Sequence, residues 1–384
     1  MSAFMPGEAV LVADGGLATE LEARGNDLSD ALWSARLLMD APEEILGAHL
    51  AFFRAGAVIA TSASYQASFE GFARRGLGRG EAAGLMRRSV DLARAARDQV
   101  AGDGRARWVA ASAGPYGAAL ADGSEYRGRY GRSVRELAAW HRPRLEVLAE
   151  AGPDVLALET VPDIDEAEAL MAAIAGLGVP AWLSYTIAGG RTRAGQSLAE
   201  AFAVAAGVPD VVAVGVNCCT PPDVPAAIAV AREVTGKPVI VYPNSGEEWD
   251  ARRRAWAGQS RYSPAQPRQW IAAGASIIGG CCRVRPADIA AFARPAREGA
   301  GRLPRRGLRL WPEFEDDVDR GLGDLPEPAE AGVAGQLPDR GGAGLGAERD
   351  PAGLGQGGRR ALERGRRVAQ RGQRTGQVRR VVVG

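Results

Sequence analysis

The sequence predicts a (β/α)8 TIM barrel followed by a disordered C-terminal tail, on three observations. Eight short apolar runs recur between residues 9 and 282. Helical patterns with capping residues separate them. No G-x-G-x-x-G follows the first run, which sets aside a doubly wound dinucleotide-binding sheet. Eight alternating β and α units over about 290 residues match the size of such a barrel.

The runs are "AVLVADGG" (9–16), "AVIATSASY" (57–65), "WVAASAGPY" (108–116), "VLALETVP" (155–162), "AWLSYTI" (181–187), "VVAVGVNC" (211–218), "PVIVYPNSG" (238–246) and "ASIIGGCC" (275–282). Each is nearly continuous in apolar residues rather than alternating. That is expected of parallel strands buried on both faces.

The intervening patterns read as helices with defined ends. "PEEILGAHLAFFRAG" (42–56) opens with Pro and acids and closes on Gly. "SVRELAAWHRPRLEVLAEAG" (133–152) starts at a Ser with Glu three residues on, and "DIDEAEALMAAIAGLG" (163–178) starts at Asp. "PPDVPAAIAVAREVTG" (221–236) and "PADIAAFARPARE" (286–298) follow the two Cys doublets.

Beyond about residue 300 the texture changes. Phe314 is the last aromatic residue, and the remainder is rich in Gly, Ala and Arg. Such a segment buries too little apolar surface to offset its chain entropy. The expected organisation is a barrel over 1–299 and a low-complexity, disordered tail over 300–384.

A net charge of +1 and 46% hydrophobic residues suit a globular protein with a large core. Near-neutral charge gives no reason to expect nucleic acid as a partner. No apolar run reaches the roughly 18–20 residues that span a bilayer. The N-terminus lacks the basic and apolar regions of a signal peptide, so the expected compartment is the cytoplasm. Thiols stay reduced there, and grouped cysteines read as metal-binding or catalytic.

The chain has four cysteines, as two doublets: Cys218–Cys219 and Cys281–Cys282. Both doublets end apolar runs, hence both fall at the mouth of the expected barrel, where such enzymes carry their active sites. A lone strand Cys reads as a small buried apolar residue. Two doublets with no other Cys read as ligands for Zn²⁺, the metal best matched to several thiolates. A catalytic zinc takes about three protein ligands, so three of the four thiols suffice. Adjacent strand residues point apart, and both members of a doublet reach one metal only where the strand bends. Gly279 and Gly280 are the candidates for that bend.

Polar residues gather at the other strand ends: Asp14, Tyr65 with Gln66, Glu159 with Thr160, Asn217, and Asn244 with Ser245. Asp14, Glu159 and Asn217 are candidate residues of a site at the mouth, Asn217 as a substrate contact; the roles of Asp14 and Glu159 follow from the resemblance given below. A salt bridge is the structural alternative for Glu159. His49 and His141 lie inside helical patterns and read as packing residues. Lys237, the sole lysine, precedes a strand, which argues against Schiff-base chemistry at the mouth.

The segments "DGGLATELEARG" (14–25), "SASYQASFEGF" (62–72), "GPYGAALADGSEYRGRYG" (114–131), "LALETVPDIDEAEAL" (156–170), "GVNCC" (215–219), "VYPNSGEEWD" (241–250) and "GGCCR" (279–283) together resemble the homocysteine S-methyltransferase family. The resemblance runs from about residue 8 to 297 and is closest to the branch using S-methylmethionine or S-adenosylmethionine. It implies a zinc-dependent barrel with Cys218, Cys281 and Cys282 as metal ligands, and Asp14 and Glu159 on the amino acid substrate. Cys219 stands where the family usually has another small or polar residue.

The implied reaction is methyl transfer from a sulfonium donor to the thiol of homocysteine, giving methionine. Thiol pKa values near 8.5 make metal activation useful at neutral pH. Trp33 and Tyr65 are the candidate aromatic contacts for the sulfonium. The alternatives are betaine or methylfolate as donor, and a non-catalytic zinc or thiol sensor on a barrel scaffold.

Overall fold

The structure is a computed structural model. It describes residue 4 and residues 9–29, 32–250, 255–257, 259–260, 262–263 and 265–299. The tail expected over 300–384 lies outside the described residues.

Eight parallel strands form the main sheet: β1 (Leu11–Val12), β2 (Ile59–Thr61), β3 (Trp108–Ala113), β4 (Val155–Val161), β5 (Ala181–Tyr185), β6 (Val211–Asn217), β7 (Val239–Tyr242) and β8 (Ala275–Ile278). Each pairs with its neighbours in sequence, and β1 pairs with β8. A parallel bridge from Ala13 to Ile59 joins β1 to β2, so the sheet closes into a (β/α)8 barrel.

The outer helices are α1 (Pro42–Ala55), α2 (Arg79–Gln99), α3 (Val134–Glu150), α4 (Ile164–Ile174), α5 (Leu198–Ala206), α6 (Val224–Thr235), α7 (Gln266–Ala273) and α8 (Pro286–Gly299). Their ends follow the caps read from the sequence. Gly56 stops α1 in the left-handed region at φ 112°. Ser133 and Glu136 form a reciprocal capping box on α3. The Asp163 side chain accepts from Glu166 N at the start of α4.

The strands are buried on both faces, as their composition requires. All seven residues of β4 are buried. Pleat alternation divides them between two apolar clusters. Ile59, Ala110, Val155, Ala157, Trp182, Ala213, Ile240, Tyr242 and Ile277 fill the lumen, whereas Leu156, Leu158, Val214, Val216, Val239 and Val241 pack outward with the helices. The same parity carries Ser112, Glu159, Ser184 and Asn217 to the C-terminal end of the lumen. Trp182 Nε1 donates to Tyr242 Oη at 3.0 Å just beneath them. Gly215 is required where β6 meets β7, because a Cβ there would lie 1.7 Å from Ile240 O. Among the described residues, no helix is long and apolar enough to cross a membrane.

Candidate metal and substrate site

At the C-terminal mouth of the barrel, Cys218 at the end of β6 meets Cys281 and Cys282 beyond β8. Their three sulfurs lie within 4.8 Å of one another. Cys218 Sγ is 2.7 Å from Cys281 Sγ, and Cys281 Sγ is 4.0 Å from Cys282 Sγ. Tetrahedral zinc at about 2.3 Å from each thiolate sets sulfurs roughly 3.8 Å apart. The Cys281–Cys282 spacing meets that value, and the Cys218–Cys281 pair sits inside it. Three sulfur donors and one open side are a donor set that fits a soft or borderline metal.

The local backbone explains how a doublet offers both thiols. Val284 N donates to Cys281 O at 3.1 Å, and Arg283 has φ 67°. Cys281 and Cys282 thus open a tight turn that swings successive side chains to one side. The bend expected at Gly279–Gly280 is centred on Arg283 instead. The two glycines serve close packing. A Cβ on Gly280 would lie 2.1 Å from Val284 Cγ1, and one on Gly279 would lie 2.9 Å from Ala13 Cβ. The next loop stitches the site together. Cys281 N donates to Pro243 O at 2.8 Å, Cys282 N to Asn244 Oδ1 at 3.1 Å, and Asn244 N to Cys219 O at 2.9 Å.

Cys218 is itself left-handed, at φ 47°, and so is Thr160 at φ 61°, directly after Glu159. Neither is Gly, and for β-branched Thr160 this conformation is strained. Asn217 locks both strand ends. Its Oδ1 accepts from Thr160 N and Ser184 Oγ, each at 2.8 Å, and its Nδ2 donates to Thr160 Oγ1 at 2.8 Å. The sequence reading assigns Asn217 to substrate. The structure places it behind the cavity wall, wholly buried, with both ends of its amide used by the protein.

Cys219 points the other way. It is 1% exposed and packs in the outer apolar cluster. Burial pushes its thiol up, so it behaves as a small apolar residue. Cys218 differs. Hydrogen bonds from Cys281 and Cys282 hold it well below the usual thiol range, while those two partners are pushed up.

The thiols edge a cavity of about 560 Å³ whose lining includes Asp14, Tyr65, Glu125, Tyr126, Glu159 and Tyr242. Thr61 N and Thr61 Oγ1 donate to Asp14 at 2.7 and 2.9 Å, which ties β1 to β2. Burial still raises Asp14 to about 7. Glu159 accepts a hydrogen bond from Ser112 Oγ, and Tyr242 lies within reach of it. Burial pushes Glu159 up to about 8 against the Ser112 bond. Among the described residues no Arg pairs with Glu159, whose hydrogen-bond partners are Ser112 and Tyr242. Among the described lining residues there are four carboxylates (Asp14, Asp122, Glu125 and Glu159) and no Lys, Arg or His. Such a wall favours cationic groups on a ligand.

Tyr126 Oη lies 4.0 Å from Cys218 Sγ, and Tyr65 lines the same cavity. The Trp33 side chain lies outside the described residues. His49 is wholly buried in α1, and His141 pairs with Glu166 Oε1 at 2.9 Å between α3 and α4. Sequence reasoning missed Ser112, Tyr242, Glu125 and Tyr126. Lumen parity marks the first two. The "ADGSEYRG" loop after β3 holds the others without any regular period.

Comparison with known proteins agrees with this geometry. A family model described as homocysteine S-methyltransferase matches residues 11–295. Homocysteine S-methyltransferase of Escherichia coli is 46% identical over 304 residues, covering 76% of this chain and 97% of that protein. Homocysteine S-methyltransferase YbgG of Bacillus subtilis is 43% identical over 298 residues, covering 75% and 95%. The crystal structure of the E. coli homocysteine methyltransferase MmuM in its metallated form superposes with a TM-score of 0.68 at 45% identity, covering 75% of this chain and 96% of that one. With its closed barrel and three convergent thiols, the chain belongs to the homocysteine S-methyltransferase family of enzymes.

Proposed function

We propose that the chain transfers a methyl group from a sulfonium donor, S-methylmethionine or S-adenosylmethionine, to the thiol of homocysteine, giving methionine. Cys218, Cys281 and Cys282 hold the zinc ion. When bound, zinc would supply a Lewis acid that lowers the pKa of a nearby thiol and so favours its thiolate at neutral pH. The observation that carries this reading is the convergence of three sulfurs on a cavity walled by carboxylates without a cation.

The chain's own residues bind and orient. Glu159 and Asp14 receive the homocysteine ammonium by charge-assisted hydrogen bonds, which offset the burial that otherwise favours their neutral forms. Asn217 is a positioning residue for Glu159 and Cys218. In the transfer, the donor S–CH₃ bond breaks as the homocysteine S–CH₃ bond forms. The broken bond's electron pair stays on the donor sulfur, which leaves as a neutral thioether. No general acid is required, in keeping with two histidines that lie outside the cavity.

The charge of the wall favours the sulfonium class over methylfolate, whose carboxylates would meet four others. Betaine carries a cation but no N–H, so it can donate no hydrogen bond to acceptors in the wall. A sensor needs no amino acid pocket of this size. Three reduced thiols suit the cytoplasm. Glu159→Gln tests the acceptor assignment: homocysteine affinity should fall about 10-fold or more while zinc is retained. Unchanged affinity would return Glu159 to a structural role.

A further inference from the structure

Two residues lining the cavity on the side of β2 and β3 each carry a buried acceptor oxygen that has no hydrogen-bond partner among the described residues. Gln66 Nε2 donates to Ala118 O at 3.2 Å, which turns Gln66 Oε1 away from that carbonyl. Gln66 Oε1 is buried and receives no hydrogen bond. Glu125 Oε2 is likewise buried and receives none. Both residues line the cavity. Buried oxygens without donors are costly, a carboxylate most of all.

The fold holds Glu125 in this position. Its loop seats directly on Gly117, where a Cβ would come within 2.4 Å of Glu125 N. Burial, with the negative Asp122 nearby, raises Glu125 to about 7. Glu125 in turn is near enough to push the Tyr65 phenol up. What these groups lack is a cation that brings N–H donors, and the described cavity wall supplies none.

We propose that Gln66 and Glu125 form the subsite for the donor's amino group, so that the enzyme takes sulfonium donors carrying an α-ammonium. This rests on the reading above, in which Glu159 and Asp14 take the homocysteine ammonium. An ammonium offers three N–H donors, enough for both orphaned oxygens. Tyr126 follows Glu125 in the chain with its Oη 4.0 Å from Cys218 Sγ, Tyr65 is near enough to feel both Glu125 and Cys218, and the two rings offer aromatic surface to the sulfonium. Sulfonium acids without the ammonium leave both oxygens unmet and are rejected for that reason.

The test is a titration of the zinc-loaded, full-length enzyme without homocysteine, so that no transfer occurs. The ligands are S-methylmethionine and 4-(dimethylsulfonio)butanoate, its analogue lacking the amino group. The native enzyme should prefer S-methylmethionine by about 10–100-fold, the worth of a charge-assisted hydrogen bond. Glu125→Gln should cut that preference below about 3-fold, and Gln66→Leu should reduce it independently. Zinc content and homocysteine affinity should stay unchanged in both. An equal preference in native and variant proteins overturns the proposal. So does an equal loss of both ligands, which would place Glu125 on the sulfonium or on loop structure, and so does failure of the native enzyme to bind either. Turnover with homocysteine is measured separately. Lost turnover with the preference intact sinks the methyltransfer reading and leaves this subsite standing.

Discussion

Asn217→Ala is the substitution that reaches furthest through the site without touching the metal ligands. It removes three buried hydrogen bonds, each at 2.8 Å, to Thr160 N, Thr160 Oγ1 and Ser184 Oγ. At about 1 kcal/mol each, their loss costs about 3 kcal/mol. Thr160 N–H is left buried without an acceptor, which holds the cost at that level even where Ser184 finds another partner. Freed of Asn217, Thr160 relaxes from φ 61°, recovering part of about 1–3 kcal/mol of strain. That relaxation displaces Glu159 before it and loosens Cys218 after Asn217. The expected variant therefore loses about 1–3 kcal/mol in urea unfolding of the metal-free protein, where zinc binding adds nothing to the difference. In competition with a chelator, its zinc affinity falls about 10–100-fold, as for other groups that orient metal ligands. A loss below about 1 kcal/mol with native zinc affinity would refute the claim that Asn217 clamps the two strand ends.

The other predictions concern the thiols, the core and the chain end. Cys282→Ala should lose metal and activity, whereas Cys219→Ala should keep most of each; the reverse pattern, read by metal analysis, would move the site onto Cys219. His49 is wholly buried with neither ring nitrogen bonded, and burial lowers it from 6.5 to about 4. The unfolded chain then binds the extra proton between those values, so native stability falls by up to about 3 kcal/mol as pH drops from 6.5 to 4. His49→Leu should remove that increment in paired denaturant titrations at pH 7 and pH 4, and parallel pH curves for the two proteins would contradict it. Gly215→Ala puts a methyl 1.7 Å from Ile240 O and should abolish soluble, folded protein, so near-native stability would show that β6 and β7 can separate there. A chain truncated after residue 300 should fold, bind zinc and retain activity, because α8 already completes the barrel; an inactive product would assign the tail a part in the domain.

The barrel was legible because its strands are short apolar runs between capped helices, and each cap signal at Gly56, Ser133 and Asp163 marks a real helix end. The convergence of Cys218, Cys281 and Cys282 was legible because cysteine is scarce and chemically specific. The turn that makes the doublet usable was not, since its left-handed residue is Arg283 rather than either glycine. Asn217 stands at the strand end where the sequence puts it, and its amide is taken up by Thr160 and Ser184. A strand-end position says that a side chain nears the mouth, and hydrogen bonds to Thr160 and Ser184, far away in sequence, decide whether it reaches the cavity. Glu125 and Gln66 carry no periodic signal at all. Their interest comes from what the fold fails to offer them, which no spacing in the chain encodes.

The central claim is a zinc-dependent methyl transfer from a sulfonium to homocysteine. It is tested most directly by methionine formation from homocysteine with S-methylmethionine, S-adenosylmethionine, betaine and methylfolate in turn, before chelation, after it, and after zinc is restored. The expected result is methionine from a sulfonium donor alone, lost on chelation and recovered with about one zinc per chain. Turnover with betaine or methylfolate, or activity that survives complete removal of the metal, would contradict it.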